Sequence, residues 1–207
     1  MKGVIIISNN NEKLTPKEKT LVAVESLLQF VPVVGPSLAT AYFSHKQEKR
    51  LKRLESFYEE LVAKLSSVSL CDYSTHNEEE LINLIEKINI QIEMESSKEK
   101  IDLFQNYFIT LLKSPTTKEN YDARFLMLNT LSSISFLEFQ VLLSYYNKSK
   151  VTAPAAYIEG ANSHLESLGL LRSTYYAETT VGMSPVNRAV SISDYGEMFI
   201  KFIELYE

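Results

Sequence analysis

Residues 163–172 read SHLESLGLLR, and this stretch predicts the joint between a helix and a β-strand. Gly169 follows the last apolar residue of a helical pattern, where glycine is favoured because it adopts a left-handed backbone without a steric penalty. The helix leading into the joint is expected to begin near Thr152, whose hydroxyl can cap the first turn, with Pro154 inside that turn.

The sequence after this joint predicts a β-hairpin and a closing helix. Residues 170–177 (LLRSTYYA) are typical of a strand, 178–188 of a turn or wing, and 189–193 (AVSIS) of a returning strand with alternating apolar side chains. Ser193 can then cap a last helix over 195–206. Preceded by helices, this order predicts a winged-helix fold; the alternative is an α+β cap with a single hairpin.

Two helices and the turn between them are predicted before residue 67. Thr15 can cap a helix over 16–30, and a second helix begins at Pro36 or Ser37 and reaches about Ser66, since 38–65 contain neither glycine nor proline. The turn at 32–36 makes the pair an αα hairpin.

Four capping signals predict four more helices before residue 150. Asn77 stands directly before three glutamates, and the pair Ser96-Ser97 precedes a second apolar pattern. Thr116-x-x-Glu119 and Ser135-x-x-Glu138 each match a capping box. The fold class expected is therefore mainly α, with a tail or short edge strand at 1–14, a helical domain at 15–113 and a winged-helix-like domain at 116–207.

Residues 26–44 form an apolar run without a charged side chain, SLLQFVPVVGPSLATAYFS. Its length is close to the roughly 20 residues that span a bilayer, and the basic stretch HKQEKRLKR that follows suits anionic headgroups. Pro32, Gly35 and Pro36 divide the run into pieces too short to span, however. We therefore expect a hairpin covered by the rest of a helical bundle, with membrane entry as the alternative.

The charge pattern argues against DNA binding by the predicted winged helix. The whole chain has a formal net charge of −5, and residues 121–207 carry six basic and nine acidic side chains. The expected recognition helix, APAAYIEGANSHLESL, has no lysine or arginine and offers only Asn162, Ser163 and His164 as readers. Because phosphate contacts dominate DNA affinity, we expect this domain to bind protein, with a DNA-binding regulator as the alternative.

Two surfaces are candidates for partner binding. One is the basic face of the long second helix and the other is the predicted wing; the alternative for the basic face is an ordinary solvated helix surface. The candidate residues are Lys46, Lys49, Arg50, Lys52 and Arg53 on the helix and Tyr175, Tyr176 and Arg188 on the wing.

The sequence has no recognised catalytic, cofactor-binding or metal-binding motif. It lacks a glycine-rich phosphate loop, GxSxG, HExxH and CxxC. Cys71 is the only cysteine, which suits a reducing cytoplasm and excludes an intrachain disulfide and a multi-cysteine zinc site. His45, His76 and His164 lie far apart in sequence. We expect no enzyme activity and no cofactor.

Four stretches resemble the abortive-infection alpha type of helical bacterial protein: PVVGP (32–36), LFQNYFITLLKS (103–114), LSSISFLEFQVLLSYY (131–146) and LESLGLL (165–171). The resemblance implies a role in bacterial or prophage defence against phage, and it supplies no catalytic residues. Residues 1–14 lie outside it.

Together these patterns predict a cytoplasmic, non-enzymatic protein-interaction module of bacterial or phage origin that acts in defence or counter-defence. Its partner is a protein, and homo-oligomerisation is a further option. The alternatives are a DNA-binding winged-helix regulator and a membrane-acting effector that uses residues 26–44.

Overall fold

The computed structural model describes residues 41–177 and 186–204, with side chains for 48–175 and 188–204. Within these residues the chain is mainly helical, as predicted, with one small antiparallel sheet. The predicted tail at 1–14, the helix over 16–30 and the turn at 32–36 lie outside the described residues, as do most of the apolar run and residues 178–185 of the turn predicted at 178–188.

The elements follow one another in the predicted order, and we number them along the described chain. The helices are α1 (Ala41–Leu65), α2 (Glu78–Met94), α3 (Lys98–Lys113), α4 (Lys118–Ser133), α5 (Phe136–Asn147), α6 (Ala155–Ser167) and α7 (Asp194–Glu204). A single 3-10 turn, Tyr73–Thr75, lies between α1 and α2. The strands are β1 (Leu171–Ala177) and β2 (Val186–Ile192).

Three of the predicted helix starts are confirmed by their capping hydrogen bonds. The Asn77 carboxamide oxygen accepts from the Glu80 amide at 3.2 Å, and the Ser97 hydroxyl accepts from the Lys100 amide at 3.2 Å. At α5 the Glu138 carboxylate accepts from the Ser135 amide at 2.6 Å, which completes a capping box.

Two predicted caps are wrong. The box assigned to Thr116 and Glu119 falls one residue later, where the Asn120 carboxamide oxygen accepts from the Thr117 amide at 2.9 Å. Helix α6 has Pro154 as its N-cap, without a side-chain cap bond, so Thr152 does not cap it. The returning strand also begins earlier than predicted, at Val186 rather than at residue 189.

The core is organised around α3, most of whose side chains are buried. Its Phe104, Tyr107 and Phe108 are fully covered, and Phe57 of α1 packs edge-on against Phe108 with ring centroids 6.2 Å apart. Helix α3 contacts α1, α2, α4 and α7. One continuous apolar core therefore runs through the predicted helical and C-terminal domains, whose boundaries remain a prediction.

The joint at residues 163–172 connects α6, the sheet and α7. Gly169 has φ of +75°, as its predicted left-handed position requires. The Ser193 hydroxyl accepts from the Gly196 amide at 3.0 Å, so Ser193 caps α7 as predicted. A Cβ atom on Gly196 would lie 2.2 Å from the Leu170 carbonyl oxygen, so only glycine lets α7 approach the joint this closely.

Candidate interaction surfaces

The basic part of α1 extends past the helix on which α1 packs. Helices α1 and α2 run antiparallel: the Arg53 guanidinium donates to the Glu93 carbonyl at 2.8 Å, and the Tyr58 hydroxyl donates to Asn89 at 2.7 Å. Glu93 lies at the end of α2. Residues 41–52, which we call the basic arm, therefore continue for about 18 Å along the axis of α1 beyond this contact.

The predicted basic residues of α1 differ in their solvent exposure and in their contacts. Lys49 is exposed and Arg50 is half-buried. Lys52 forms an i, i+4 ion pair with Glu48 at 2.8 Å, and because both side chains are more than half exposed the pair contributes little stability. Arg53 satisfies a carbonyl at the end of α2 and is a packing contact. Lys46 lies in α1, in the part for which only the backbone is described.

A cationic cleft opens at the base of the arm, between α1 and the turn that joins α2 to α3. Its volume is about 280 Å³, and its lining includes Lys52, Arg53 and Lys98. Lys98 pairs with Glu60 at 3.1 Å, and this contact lowers the pKa of Glu60. The lining thus carries more positive than negative charge.

Two apolar side chains stand exposed at the same end of the molecule. Ile90 and Met94, one turn apart at the end of α2, are 54% and 58% exposed. Large apolar side chains that the described residues leave exposed are a common feature of partner-binding surfaces. The end of the arm at residue 52 therefore lies at the end of the molecule where this apolar surface is exposed.

On the predicted wing, Arg188 is engaged within the chain. It forms an ion pair with Glu166 of α6 and donates to the Ser173 hydroxyl at 2.8 Å. The Ser173 hydroxyl also donates to Glu166 at 2.6 Å. These contacts lower the pKa of Glu166, with the hydrogen bond from Ser173 as the larger cause. Arg188 therefore fastens the sheet to α6.

Tyr175 is the predicted wing residue that remains open to solvent. It pairs with Arg188 in the sheet register, and 64% of its surface is exposed. Tyr176 is the next residue of β1, in the part of the strand for which only the backbone is described.

Two of the three candidate DNA readers on α6, Ser163 and His164, have hydrogen-bond partners within the chain. The His164 imidazole lies 2.6 Å from the Glu138 carboxylate of α5. The Ser163 hydroxyl donates to the Glu159 carbonyl at 3.0 Å, within the helix. The Asn162 carboxamide oxygen is buried and has no partner among the described residues. Ser163 and part of His164 reach the surface, but α6 presents no lysine or arginine there for phosphate contacts.

Cys71 and His76 lie close together but cannot work as a nucleophile and base. The His76 Nε2 atom lies 3.0 Å from the Cys71 sulfur, and His76 Nδ1 accepts from the Thr116 amide at 2.9 Å. Because Nδ1 is an acceptor, the ring proton lies on Nε2 and points at the sulfur. The imidazole therefore has no free lone pair to take the thiol proton, as a catalytic pair needs.

The pKa values agree with a packing role for this pair. Burial, assisted by Arg124, lowers the pKa of His76 to about 4, which keeps its ring neutral. Burial also raises the pKa of the Cys71 thiol, so the reactive thiolate is disfavoured. Through the hydrogen bond from the Thr116 amide to His76, this pair connects the segment after α1 to the segment after α3.

Arg124 is a buried residue that no pattern in the sequence singled out. Only 6% of it is exposed, and its guanidinium donates to the Ser114 hydroxyl at 2.7 Å and to the Thr116 hydroxyl at 2.6 Å. It also reaches the Ser114 carbonyl, one of the free carbonyls at the end of α3. An arginine within a capped helix gave no sequence signal of burial.

Three further observations limit the chemistry and the setting of these surfaces. Among the described residues no group of three or more histidine, cysteine, aspartate or glutamate side chains is arranged to hold a metal ion. No single described helix has the length and apolar composition to cross a bilayer, although α4 and α5 satisfy those criteria as a pair bent by 116°. Comparison of the chain with protein-family models, curated proteins and solved structures found no match.

Proposed function

We propose that this chain is a non-enzymatic interaction module that binds an acidic protein surface through its basic arm, in the conflict between phage and bacterial host. The observation that carries the proposal is the extension of a cationic helix past the Arg53–Glu93 contact, beside the exposed Ile90 and Met94. A charged helix with adjacent apolar surface offers both long-range attraction and contact area to a protein partner.

The setting rests on the resemblance to abortive-infection alpha proteins. That resemblance lies in the quoted stretches 32–36, 103–114, 131–146 and 165–171, and it implies a role in phage defence. A docking helix without catalytic groups is compatible with a protein that senses or blocks a phage component.

We also propose that α4, α5, α6, the β1–β2 hairpin and α7 form a winged helix used for protein contact. The order of the elements and the packing of α6 against α5 and β1 support this arrangement. In it α6 would take the place of a recognition helix. Helix α6 carries no lysine or arginine, and Arg188 is paired with Glu166, which favours a protein partner over DNA.

The experiment is a phage plating assay with matched charge reversals. Bacteria would express the wild-type chain, an arm variant (Lys49→Glu, Lys52→Glu) or a control variant (Lys87→Glu, Lys113→Glu) whose residues lie outside the arm and the proposed winged helix. The two variants change the net charge by the same amount, and the control residues are exposed cations elsewhere. Circular dichroism would verify that each variant is folded.

We expect the wild type and the control to reduce plating of at least one phage in a panel, and the arm variant to restore it. Equal protection by the arm variant would overturn the role of the arm. Steep, salt-sensitive DNA binding in a gel-shift assay would favour the regulator instead, and flotation of the purified chain with liposomes would favour the membrane effector.

A further inference from the structure

A pocket of about 430 Å³ lies between the end of α5 and the start of α6. Its lining combines apolar side chains, two hydroxyl-bearing serines and two lysines: Val141, Ser144, Tyr145, Lys148, Ser149, Lys150, Val151 and Ile158. Val141 is buried, and Val151 and Ile158 are half-buried. The pocket therefore has an apolar interior that the surrounding helices hold in place.

The charge at the pocket is entirely positive. Lys148 and Lys150 are exposed, and no carboxylate contributes to the lining. Neither lysine takes part in an ion pair with a described residue. Two lysines that line one pocket without a carboxylate in its lining make the potential there positive, so an anion bound in the pocket would be stabilised.

The backbone at Lys148 is unusual. Its φ of +52° and ψ of +38° place it in the left-handed region, and no other non-glycine residue of the described chain has a positive φ. Glycine is the common choice at such a helix end, because a side chain there costs about 1 kcal/mol. The Lys148 and Ser149 amides both donate to the Ser144 carbonyl, the latter at 2.9 Å, so this left-handed residue ends α5 and turns the chain such that Lys148 and Lys150 both line the pocket.

We propose that this pocket binds a small organic anion. An aromatic or branched apolar body would lie against Val141, Val151 and Ile158, and a single phosphate, sulfonate or carboxylate group would lie between Lys148 and Lys150. Pockets for small ligands have volumes of about 300 to 1,000 Å³. At about 430 Å³ this pocket lies near the lower end of that range, so it accommodates a compact molecule. The proposal does not rest on the basic arm, which other elements form.

Phenyl phosphate is a suitable probe, since it joins one phosphate to one aromatic ring. Titration of the isotope-labelled full chain, followed by NMR, would be compared with titrations of phenol and of inorganic phosphate. We expect phenyl phosphate to bind with a dissociation constant of about 1 mM or below and to shift the amides of 141–151 and 158. Phenol and inorganic phosphate should each bind at least about tenfold more weakly, because phenol lacks the phosphate group and inorganic phosphate lacks the aromatic ring.

Lys148→Gly combined with Lys150→Ala separates binding from folding. Glycine relieves the left-handed strain, so this variant should be at least as stable as the wild type while its affinity for phenyl phosphate falls about tenfold or more. A matched control, Lys118→Ala with Lys87→Ala, should bind like the wild type.

Three results would overturn the proposal. The first is the absence of amide shifts at about 10 mM phenyl phosphate, about ten times the dissociation constant expected. The second is equal binding of inorganic phosphate and phenyl phosphate, since the apolar interior would then play no part. The third is unchanged affinity in the Lys148→Gly, Lys150→Ala variant.

Discussion

At the scale of single residues, Arg124 shows how a charge can be buried without a carboxylate. The described residues place only hydroxyl and carbonyl oxygens around its guanidinium, including the free carbonyl of Ser114 at the end of α3. The negative end of the α3 dipole faces the cation, so the helix itself supplies the compensating charge. Arg124 therefore fixes the turn between α3 and α4.

Replacement of Arg124 by methionine is expected to reduce the free energy of unfolding by about 3 kcal/mol. The apolar stem is retained, but the oxygens of Ser114 and Thr116 lose their buried donor, and each unsatisfied group costs about 1–3 kcal/mol. Chemical denaturation would measure the loss. Lys118→Met, at an exposed position of the same helix, is the control and should change stability by less than about 0.5 kcal/mol; equal effects would contradict the assignment.

His76 predicts a stability loss in mild acid. Its pKa is about 4 in the folded chain and about 6.5 in the unfolded chain, so between these values the unfolded state binds more protons. The contribution of neutral His76 is therefore complete above pH 6.5 and lost as the pH falls toward 4, and it amounts to at most about 3 kcal/mol.

A His76→Gln variant isolates this effect, since glutamine can accept from Thr116 and donate to Cys71 but does not titrate. Denaturation at pH 7 and at pH 4.5 should show a smaller pH-dependent loss in the variant than in the wild type. Identical losses would show that His76 does not govern the acid sensitivity, which would then belong to the carboxylates.

At the scale of elements, the sequence predicted those helices whose start depends on local side chains. Asn77, Ser97 and Ser135 cap as predicted, because a cap oxygen reaches only to an amide two or three residues away. Thr116 and Thr117 are adjacent and equally suited to cap a helix. Tertiary contacts therefore decide which of them is the N-cap of α4. Arg124 engages Thr116, which leaves Thr117 to begin α4.

The caps give a paired prediction. Ser135→Ala should reduce the free energy of unfolding by about 1 kcal/mol, because the capping box of α5 loses its hydroxyl. Thr152→Ala should leave it within about 0.5 kcal/mol of wild type, because Thr152 is exposed and caps nothing. Thermal or urea denaturation would compare the two variants, and a larger effect at Thr152 would refute the cap assignment of α6.

The candidate interaction residues were found from charge, but their availability could not be read from the sequence. Arg53 reaches a carbonyl 40 residues away, and Arg188 reaches a carboxylate 22 residues away. Such contacts depend on how helices and strands pack, and no local sequence pattern predicts them. The sequence therefore indicated a basic face and a wing, and the packing left Lys49, Lys52 and Tyr175 among their exposed members.

At the scale of the whole molecule, α3 connects the two regions that the sequence divided. Its Thr110 hydroxyl donates to the Phe202 carbonyl of α7 at 2.9 Å, and its Tyr107 ring lies 5.2 Å from the Phe202 ring. On its other side Phe108 packs against Phe57 of α1. A helix that is shared in this way couples the stability of both regions.

Phe104→Ala tests this coupling. The side chain is fully buried, so its truncation should cost about 3–5 kcal/mol. Because α3 serves both regions, hydrogen exchange should rise in α1 and α7 together, in a single cooperative transition. Exchange confined to α1 and α2 would show that the C-terminal region folds independently of α3.

The proposed function of the molecule depends on contact between the basic arm and an acidic partner protein. A photo-crosslinking amino acid placed at Lys49, and in a control chain at Lys118, would record in phage-infected bacteria what each position touches. The account predicts a discrete adduct with an acidic protein from position 49, absent from position 118 and lost when Arg50 and Lys52 are changed to glutamate. The same adducts from both positions, or none from position 49, would contradict it.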